Sequence, residues 1–221
     1  MVDLGLAALH SMLIEMHGGM LTLATICILA IVIDRIYLRS RRTNDGHGSL
    51  SIDSVMGKLS RYAEPTAYVA GIGGVIGLIT SAIVGIYVWP IELITTSALG
   101  LNKVMFSIFA TELWIIFVCL RSKYGENLWK NSAMATLYAG LGVLGFLFMV
   151  LAGSLGAHMT GKVSIIDPIF ALFGIDPLTF GVTGFDFVII LIGVSLVLVV
   201  VPLIVVVYLQ RRKRLKGNVK T

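Results

Sequence analysis

The sequence predicts an all-α integral membrane protein, a bundle of five transmembrane helices in a single domain of 221 residues. Hydrophobic residues make up 57% of the chain and charged residues 13%, whereas a soluble domain has about 25% charged residues. The mean hydropathy is +0.94. Five apolar segments each reach the ~20 residues that a helix needs to cross ~30 Å of hydrocarbon. We therefore expect a multi-pass protein of the cell membrane, surrounded by the lipid bilayer.

The first span has an uncharged apolar run from Gly18 to Ile33, and the second is closed by Trp89 and Pro90. Pro202 predicts a kink in the fifth, because proline removes a helix hydrogen bond. The predicted spans cover residues 9–38, 67–88, 99–120, 132–158 and 187–209.

Lysine and arginine residues predict the orientation of the bundle. Residues 35–61 contain six of them, residues 121–130 three, and residues 211–220 six. The two opposite connections contain only Lys103 and Lys162. Basic connections stay on the cytoplasmic side, so we expect the N-terminus outside, with the C-terminus and the basic tail 210–221 inside. This pattern accounts for the net charge of +5 without a nucleic-acid partner.

Two connections have a distinct composition. Residues 39–62 are polar and turn-like, and His47 there is expected to be a solvated loop residue. Residues 160–185 form an outer segment that is apolar for a loop and is expected to lie along the membrane surface or to fold over the outer ends of the spans. Within it, Asp167-Pro168 and Asp176-Pro177 both predict a helix start, with aspartate as the cap and proline at the first helical position.

Glu112 is an acidic residue in the middle of the third span. At 1.5 Å per residue it lies about 13 Å deeper than Arg121, near the middle of the bilayer. An ionised carboxylate there is costly, so a protonated or hydrogen-bonded state is expected. Residues at similar depth are candidate partners, namely Thr80, Ser81 and Ser195. Glu112 is either a neutral packing group or the proton-binding group of a transporter.

Glycines mark two places where a helix can be approached closely. Gly73 and Gly77 are four apart in AGIGGVIG and form a small-residue face for another helix or a flat cofactor. This stretch is not a nucleotide-binding motif, because the third glycine position is occupied by Ile76. In the fourth span, Gly153 and Gly156 leave space beneath His158.

Three histidines, His10, His17 and His158, map to the predicted outer side. His10 and His17 are about 10 Å apart on one helix face, too far apart to share one metal. A b-type haem held by histidines from two helices fits this arrangement, with His158 and either His17 or His10 as iron ligands. Depth favours His10, whereas a tilted first helix favours His17.

The alternatives at these histidines are hydrogen bonds to lipid headgroups or a copper or zinc site with Glu15. The metal site is weaker because it needs three or four convergent ligands. Cys27 and Cys119 lie within spans and lack both the CxxCH motif and zinc-ligand spacing, so they are interpreted as buried apolar residues.

The stretch LHSMLIEMHGGML resembles the opening of a family of small, mostly uncharacterised prokaryotic membrane proteins. Their first span begins with His-Pro and has a second histidine a few residues later. GLITSAIVGIYVW and LAGSLGAHMTGKVSI are also similar to that family, and the resemblance covers residues 9–165. Here Ser11 replaces the proline, and the second histidine position is Glu15 or is displaced to His17. The resemblance implies a respiratory or redox-associated membrane protein.

Together these features predict a membrane subunit that binds b-type haem near the outer face and transfers electrons within a respiratory or redox complex. Other membrane subunits are expected partners, and quinone is a candidate partner. Two alternatives stay open: a non-catalytic accessory subunit of a larger complex, and a small proton-coupled transporter that uses Glu112.

Overall fold

The computed structural model describes residues 4–44, 50–164, 166–174 and 176, together with 189, 190 and 193. These residues form helices and connections, with no strand among them. Four helices in this part of the chain are long and apolar enough to cross a membrane: Leu4–Tyr37, Arg61–Val88, Ala98–Lys130 and Ser132–Met159. The all-helical class is confirmed for these residues, and four of the five predicted spans coincide with helices that are long and apolar enough to cross a membrane. The fifth span, apart from those last three residues, and the basic tail lie outside the described residues, and the orientation stays a prediction.

Six α-helices and one 3-10 helix follow one another along the described chain. Their bounds are α1 Leu4–Asn44, α2 Leu50–Val88, α3 Ile91–Thr96, α4 Ala98–Tyr124, a 3-10 helix Gly125–Lys130, α5 Ser132–Met159 and α6 Asp167–Leu172.

The prediction of a polar, turn-like connection over residues 39–62 is wrong for most of its length. The backbone is helical over residues 39–44 and again from Leu50 onward. Between Leu50 and Pro65 the weakest helix former is Gly57, and polar residues do not themselves end a helix. His47 lies outside the described residues.

Local signals in the sequence explain where α4 and α5 begin and end. The Ser97 side chain accepts a 3.0 Å hydrogen bond from the Gly100 backbone and caps α4. The Asn131 side chain accepts a 2.9 Å bond from the Ala133 backbone and caps α5. Gly125 follows α4 with a φ of 56°, a conformation that favours glycine.

The helices pack as two pairs. α1 lies mainly against α2 and α4 mainly against α5, while contacts of α2 with α4 and of α1 with α5 join the pairs. The buried positions of α1 recur at spacings of three and four residues, as in a coiled-coil seam. They are His10, Leu13, His17, Leu21, Ala24, Thr25, Ile28, Ile31 and Asp34. Three ionisable side chains therefore lie on the core-facing stripe of α1.

An aromatic cluster fills the core between α4, the 3-10 helix and α5. The Phe117 and Tyr138 rings stack with centroids 4.0 Å apart, and Trp114 meets Phe117 edge-on at 5.0 Å. Gly142 makes room for α1 beside this cluster, since a Cβ added there would lie 2.5 Å from Ile28 Cδ1. α1 and α5, which carry the predicted haem ligands, are thus neighbours in the bundle.

Candidate functional site at the histidine end

The two histidines of α1 face glycines of α2. A Cβ added to Gly85 would lie 2.9 Å from His10 Cε1, and one added to Gly77 would lie 2.6 Å from His17 Cβ. Both contacts are far along α2 from Arg61, so the histidines lie in the half of the bundle opposite the basic connections. We call this half the histidine end and define it by His10, His17, Lys103 and His158.

His10 and His17 are buried, with 9% and 6% of their surfaces exposed. Within the described residues, neither ring nitrogen of His10 has a hydrogen-bond partner, and Nδ1 of His17 has none. The Ser81 backbone lies near the His10 ring, but without the geometry of a hydrogen bond. Leaving a buried polar group unpaired costs about 1–3 kcal/mol. A ligand that binds these nitrogens would offset that cost.

Lys103 lies between the residue that follows α2 and the end of α5. Its Nζ atom is 5.3 Å from the centre of the ring of Trp89, the residue after α2. A Cβ added to Gly156 on α5 would lie 3.1 Å from the same Nζ atom. Trp89 is one helical turn beyond Gly85, the neighbour of His10. These contacts place His10, Lys103 and the end of α5 at one depth of the bundle. From the sequence, Lys103 contributed only to the predicted orientation, and its place at this site was not predicted.

His158, at the end of α5, is held by an aspartate nine residues later. Its Nε2 atom lies 2.8 Å from Asp167 Oδ1, and the Ser164 backbone N–H donates to Asp167 Oδ2 at 2.7 Å. Desolvation opposes the charged carboxylate, but the bonds from Ser164 and His158 outweigh it and lower the pKa of Asp167. The other ring nitrogen of His158, Nδ1, takes no part in these bonds.

The predicted helix start at Asp167-Pro168 is present as α6, but its details differ from the prediction. Ile166 is the N-cap residue, and Asp167 is the first helical residue. The Asp167 carboxylate bonds Ser164 and His158 and does not cap α6. Asp167, predicted as the cap of its own helix, therefore orients His158 at the end of α5. Asp176 lies within the described residues, but most of the segment that follows it does not.

The four predicted glycines have different surroundings. A Cβ added to Gly73 would lie 2.5 Å from Met20 Sδ, and Gly77 is in contact with His17. These two glycines therefore bring α1 close to α2, and no flat ring fits between the two helices there. Gly156 faces Lys103, whereas no atom lies within 4 Å of a Cβ added to Gly153.

Glu112 is buried, with 7% of its surface exposed. Gly71 on α2 faces Phe117 on α4, and Trp89 faces Lys103. Because α2 and α4 run antiparallel, counting residues along both helices between these two contacts places Glu112 level with Gly77. Gly77 is in contact with His17, so Glu112 lies at the depth of His17.

Two predicted partners of Glu112 bond within their own helix. The Thr80 hydroxyl donates to the Ile76 carbonyl oxygen at 2.8 Å, and the Ser81 hydroxyl donates to that of Leu78 at 3.1 Å. The third, Ser195, lies outside the described residues.

A metal site with several protein ligands finds no support in the described part of the chain. No group of three or more His, Cys, Asp or Glu side chains converges there. Glu15, the proposed extra ligand, is exposed. Cys27 and Cys119 are free and half-buried. A site with two histidine ligands needs no such cluster, so these observations leave the bis-histidine hypothesis open.

Comparison with known proteins assigns no function to the chain. No family model, curated protein or solved structure matches it. The functional proposal therefore rests on the chemistry of the histidine end.

Proposed function

We propose that the protein is a membrane electron-carrier subunit that binds a b-type haem at the histidine end. The observation that carries this proposal is His10, whose buried ring has two nitrogens without a partner among the described residues. A neutral imidazole nitrogen is the usual protein ligand of haem iron in such carriers. When bound, haem supplies reversible one-electron chemistry that no protein side chain here provides.

His158 is the proposed second ligand. It lies at the end of α5, the helix whose Gly156 faces Lys103, and so at the depth of His10. Its bond to Asp167 resembles the carboxylate contacts that orient metal-binding histidines and raise their basicity. His17 is the alternative first ligand, but it lies about 10 Å deeper along α1 than His10. The pair His10 and His158 is therefore preferred over His17 and His158.

Lys103 would supply positive charge beside the ligand. Its ammonium lies between Trp89, which follows α2, and Gly156 on α5. A half-buried cation at this depth can pair with a carboxylate of a bound group, and the Trp89 ring stabilises the cation while that partner is absent. Gly140 and Gly153 are the described glycines of α5 with no atom within 4 Å of an added Cβ, and Gly153, the one nearer to His158, leaves room for a flat ring at the surface of the helix. A neighbouring membrane subunit and a quinone in the bilayer are the proposed electron partners.

Visible spectroscopy tests this function directly. Protein purified in detergent and supplied with haem b should show a Soret band that shifts on reduction. His10→Ala and His158→Ala should each abolish this band, while His17→Ala, the matched change on the same helix, should retain it. A wild-type protein that takes up no haem would contradict the proposal. If His10→Ala retained the Soret band and His17→Ala lost it, the iron ligand on α1 would be His17 and not His10.

A proton-coupled transporter is the second proposal, favoured by the placement of Glu112. This carboxyl is buried at the depth of His17. Ionisable groups inside a membrane bundle are typical of proton pathways. In proteoliposomes with an internal pH-sensitive dye, Glu112→Gln should then reduce proton flux at least tenfold. The matched change Glu92→Gln, at an exposed residue of α3, should leave the flux unchanged. If neither haem binding nor proton flux is found, the accessory-subunit proposal is the one that stands.

A further inference from the structure

A cavity of about 590 Å³ opens at the end of the bundle opposite the histidines. Four basic and three acidic side chains line it, together with Trp129 and two aliphatic residues. We call this region the basic end and define it by Asp34, Arg35, Arg61, Arg121 and Lys130. Its volume is in the range of ligand sites, about 300–1,000 Å³. From the sequence, the basic residues indicate only the orientation of the bundle, and no cavity is predicted there.

Two of the four cations already have partners within the protein. The Arg121 guanidinium donates two hydrogen bonds to Glu64, one of them 2.7 Å from Nη2 to Oε2. Arg35 donates from Nη1 to the Trp129 carbonyl oxygen, and its guanidinium lies 4.8 Å from the centre of the Trp129 ring. Arg61 and Lys130 are exposed at the cavity and make no such bond among the described residues.

Two buried polar atoms that belong to cavity-lining residues lack partners within the described chain. Asp34 is 3% exposed and Trp129 is 6% exposed. Asp34 Oδ1 is a hydrogen-bond acceptor and Trp129 Nε1 is a donor, and neither makes a hydrogen bond there. Burying a carboxylate without a partner is costly. A cationic donor that reaches Asp34 would offset this cost.

The cavity therefore has a buried acidic part and an exposed basic part. A ligand that satisfies both must carry a terminal ammonium for Asp34 and an anionic group for Arg61 and Lys130. We propose that this cavity binds the phosphoethanolamine group, as the headgroup of a membrane lipid or as a free zwitterion. In a lipid headgroup the ammonium is terminal and the phosphate is next to the glycerol, so the lipid tails can leave the cavity for the bilayer.

Native mass spectrometry of the full-length protein released from micelles tests the site. Phosphatidylethanolamine should bind about tenfold more tightly than phosphatidylglycerol, which has the phosphate but no ammonium. Asp34→Asn should remove this preference, and Lys130→Gln should weaken binding of both lipids. Glu92→Gln, a matched carboxyl-to-amide change on α3 at the far end of the bundle, should change neither.

Soluble phosphoethanolamine identifies the source of the ligand. Binding of the free compound with an affinity similar to the lipid would assign the site to a soluble zwitterion. Binding of the lipid alone would assign it to the membrane. Equal affinity of the wild-type protein for the two lipids, or a preference that survives in Asp34→Asn, would overturn the proposal. The wild-type comparison decides the matter even if Asp34→Asn fails to fold. The haem spectrum is expected to be unchanged in all these variants, so this test is independent of the proposed function.

Discussion

The two ends of the bundle differ in how the polar side chains of their buried faces are paired. At the basic end, Arg121 is paired with Glu64, and Arg35 is fixed by Trp129. At the histidine end, His10 is unpaired among the described residues, and the Lys103 ammonium lies over an indole ring. Paired charges hold helices in register, whereas unpaired buried groups are available to a ligand.

Asp34 and Trp129 depart from this contrast. Both lie at the basic end, yet Asp34 Oδ1 and Trp129 Nε1 are buried and have no partner within the described chain. Both residues also line the basic-end cavity. In each half of the molecule, an unpaired buried group therefore coincides with a proposed ligand site.

The largest effect is expected from breaking the ion pair at the basic end. The Arg121 and Glu64 side chains are 15% and 13% exposed. Removing one partner of a buried pair costs about 3–5 kcal/mol, and partial exposure favours the lower value. Glu64→Gln should therefore reduce the free energy of unfolding by about 3 kcal/mol, as measured by SDS titration in mixed micelles. Glu126→Gln, an exposed carboxyl at the same cavity, should change it by less than about 0.5 kcal/mol. Equal effects would mean that the ion pair is not structural.

The next effect tests the close contact of α1 with α2 at the histidine end. A methyl group at Gly77 would lie 2.6 Å from His17 Cβ, an atom that is fixed to the backbone of α1. Gly77→Ala should therefore force the helices apart at a cost of about 2 kcal/mol. Gly153→Ala is the matched control, because no atom lies within 4 Å of the added Cβ. If both variants unfold at the wild-type SDS concentration, the two helices do not pack as described.

A smaller and equal effect is expected from the helix caps at the two ends. Ser97 caps α4 near the histidine end, and Asn131 caps α5 near the basic end. Ser97→Ala and Asn131→Ala should each cost about 1 kcal/mol in the same SDS titration, because capping is a local interaction. Asn127→Ala, at an exposed position of the 3-10 helix, is the control. A clear inequality between the two caps would show that the difference between the ends extends to local structure.

The smallest effect concerns the pH dependence of the bonds at Asp167. Because its pKa is lowered in the folded protein, its stabilising contribution is complete above the ordinary aspartate value of about 3.9. It is lost only as the pH falls through the lowered pKa. In amide hydrogen exchange, after correction for the intrinsic exchange rate, the Ser164 N–H should thus remain protected from neutral pH down to about pH 4. Asp167→Asn should lose several-fold protection already at pH 7. Loss of wild-type protection well above pH 4 would contradict the assignment of this stabilisation to Asp167.

The wrong prediction for residues 39–62 shows where hydropathy stops being informative. A helix inside a membrane must be apolar, so the four described spans leave a clear signal in the sequence. A helix outside the membrane can be polar on every side, and α1 and α2 extend as helices beyond their apolar parts. The sequence contains no proline before Pro65 that would end α2 early.

The helical class, the four long apolar helices and nearly the bounds of α5 could be predicted from the sequence. For α5 the prediction was residues 132–158, and the helix is observed as Ser132–Met159. These features were predictable because ~30 Å of hydrocarbon requires about 20 apolar residues whose backbone hydrogen bonds are internal. Candidate residues such as His10 could also be named, since an ionisable group within such a span is conspicuous.

Which side chains come into contact could not be predicted from the sequence. In a membrane protein, lipid-facing and core-facing positions are both apolar, so periodicity does not reveal the buried face of a helix. The contact of His17 with Gly77, the place of Lys103 beside Trp89 and the bond from His158 to Asp167 depend on how helices pair and how a connection folds back. The cavity beside Asp34 has the same origin, because its walls come from separate helices that converge only in the folded bundle.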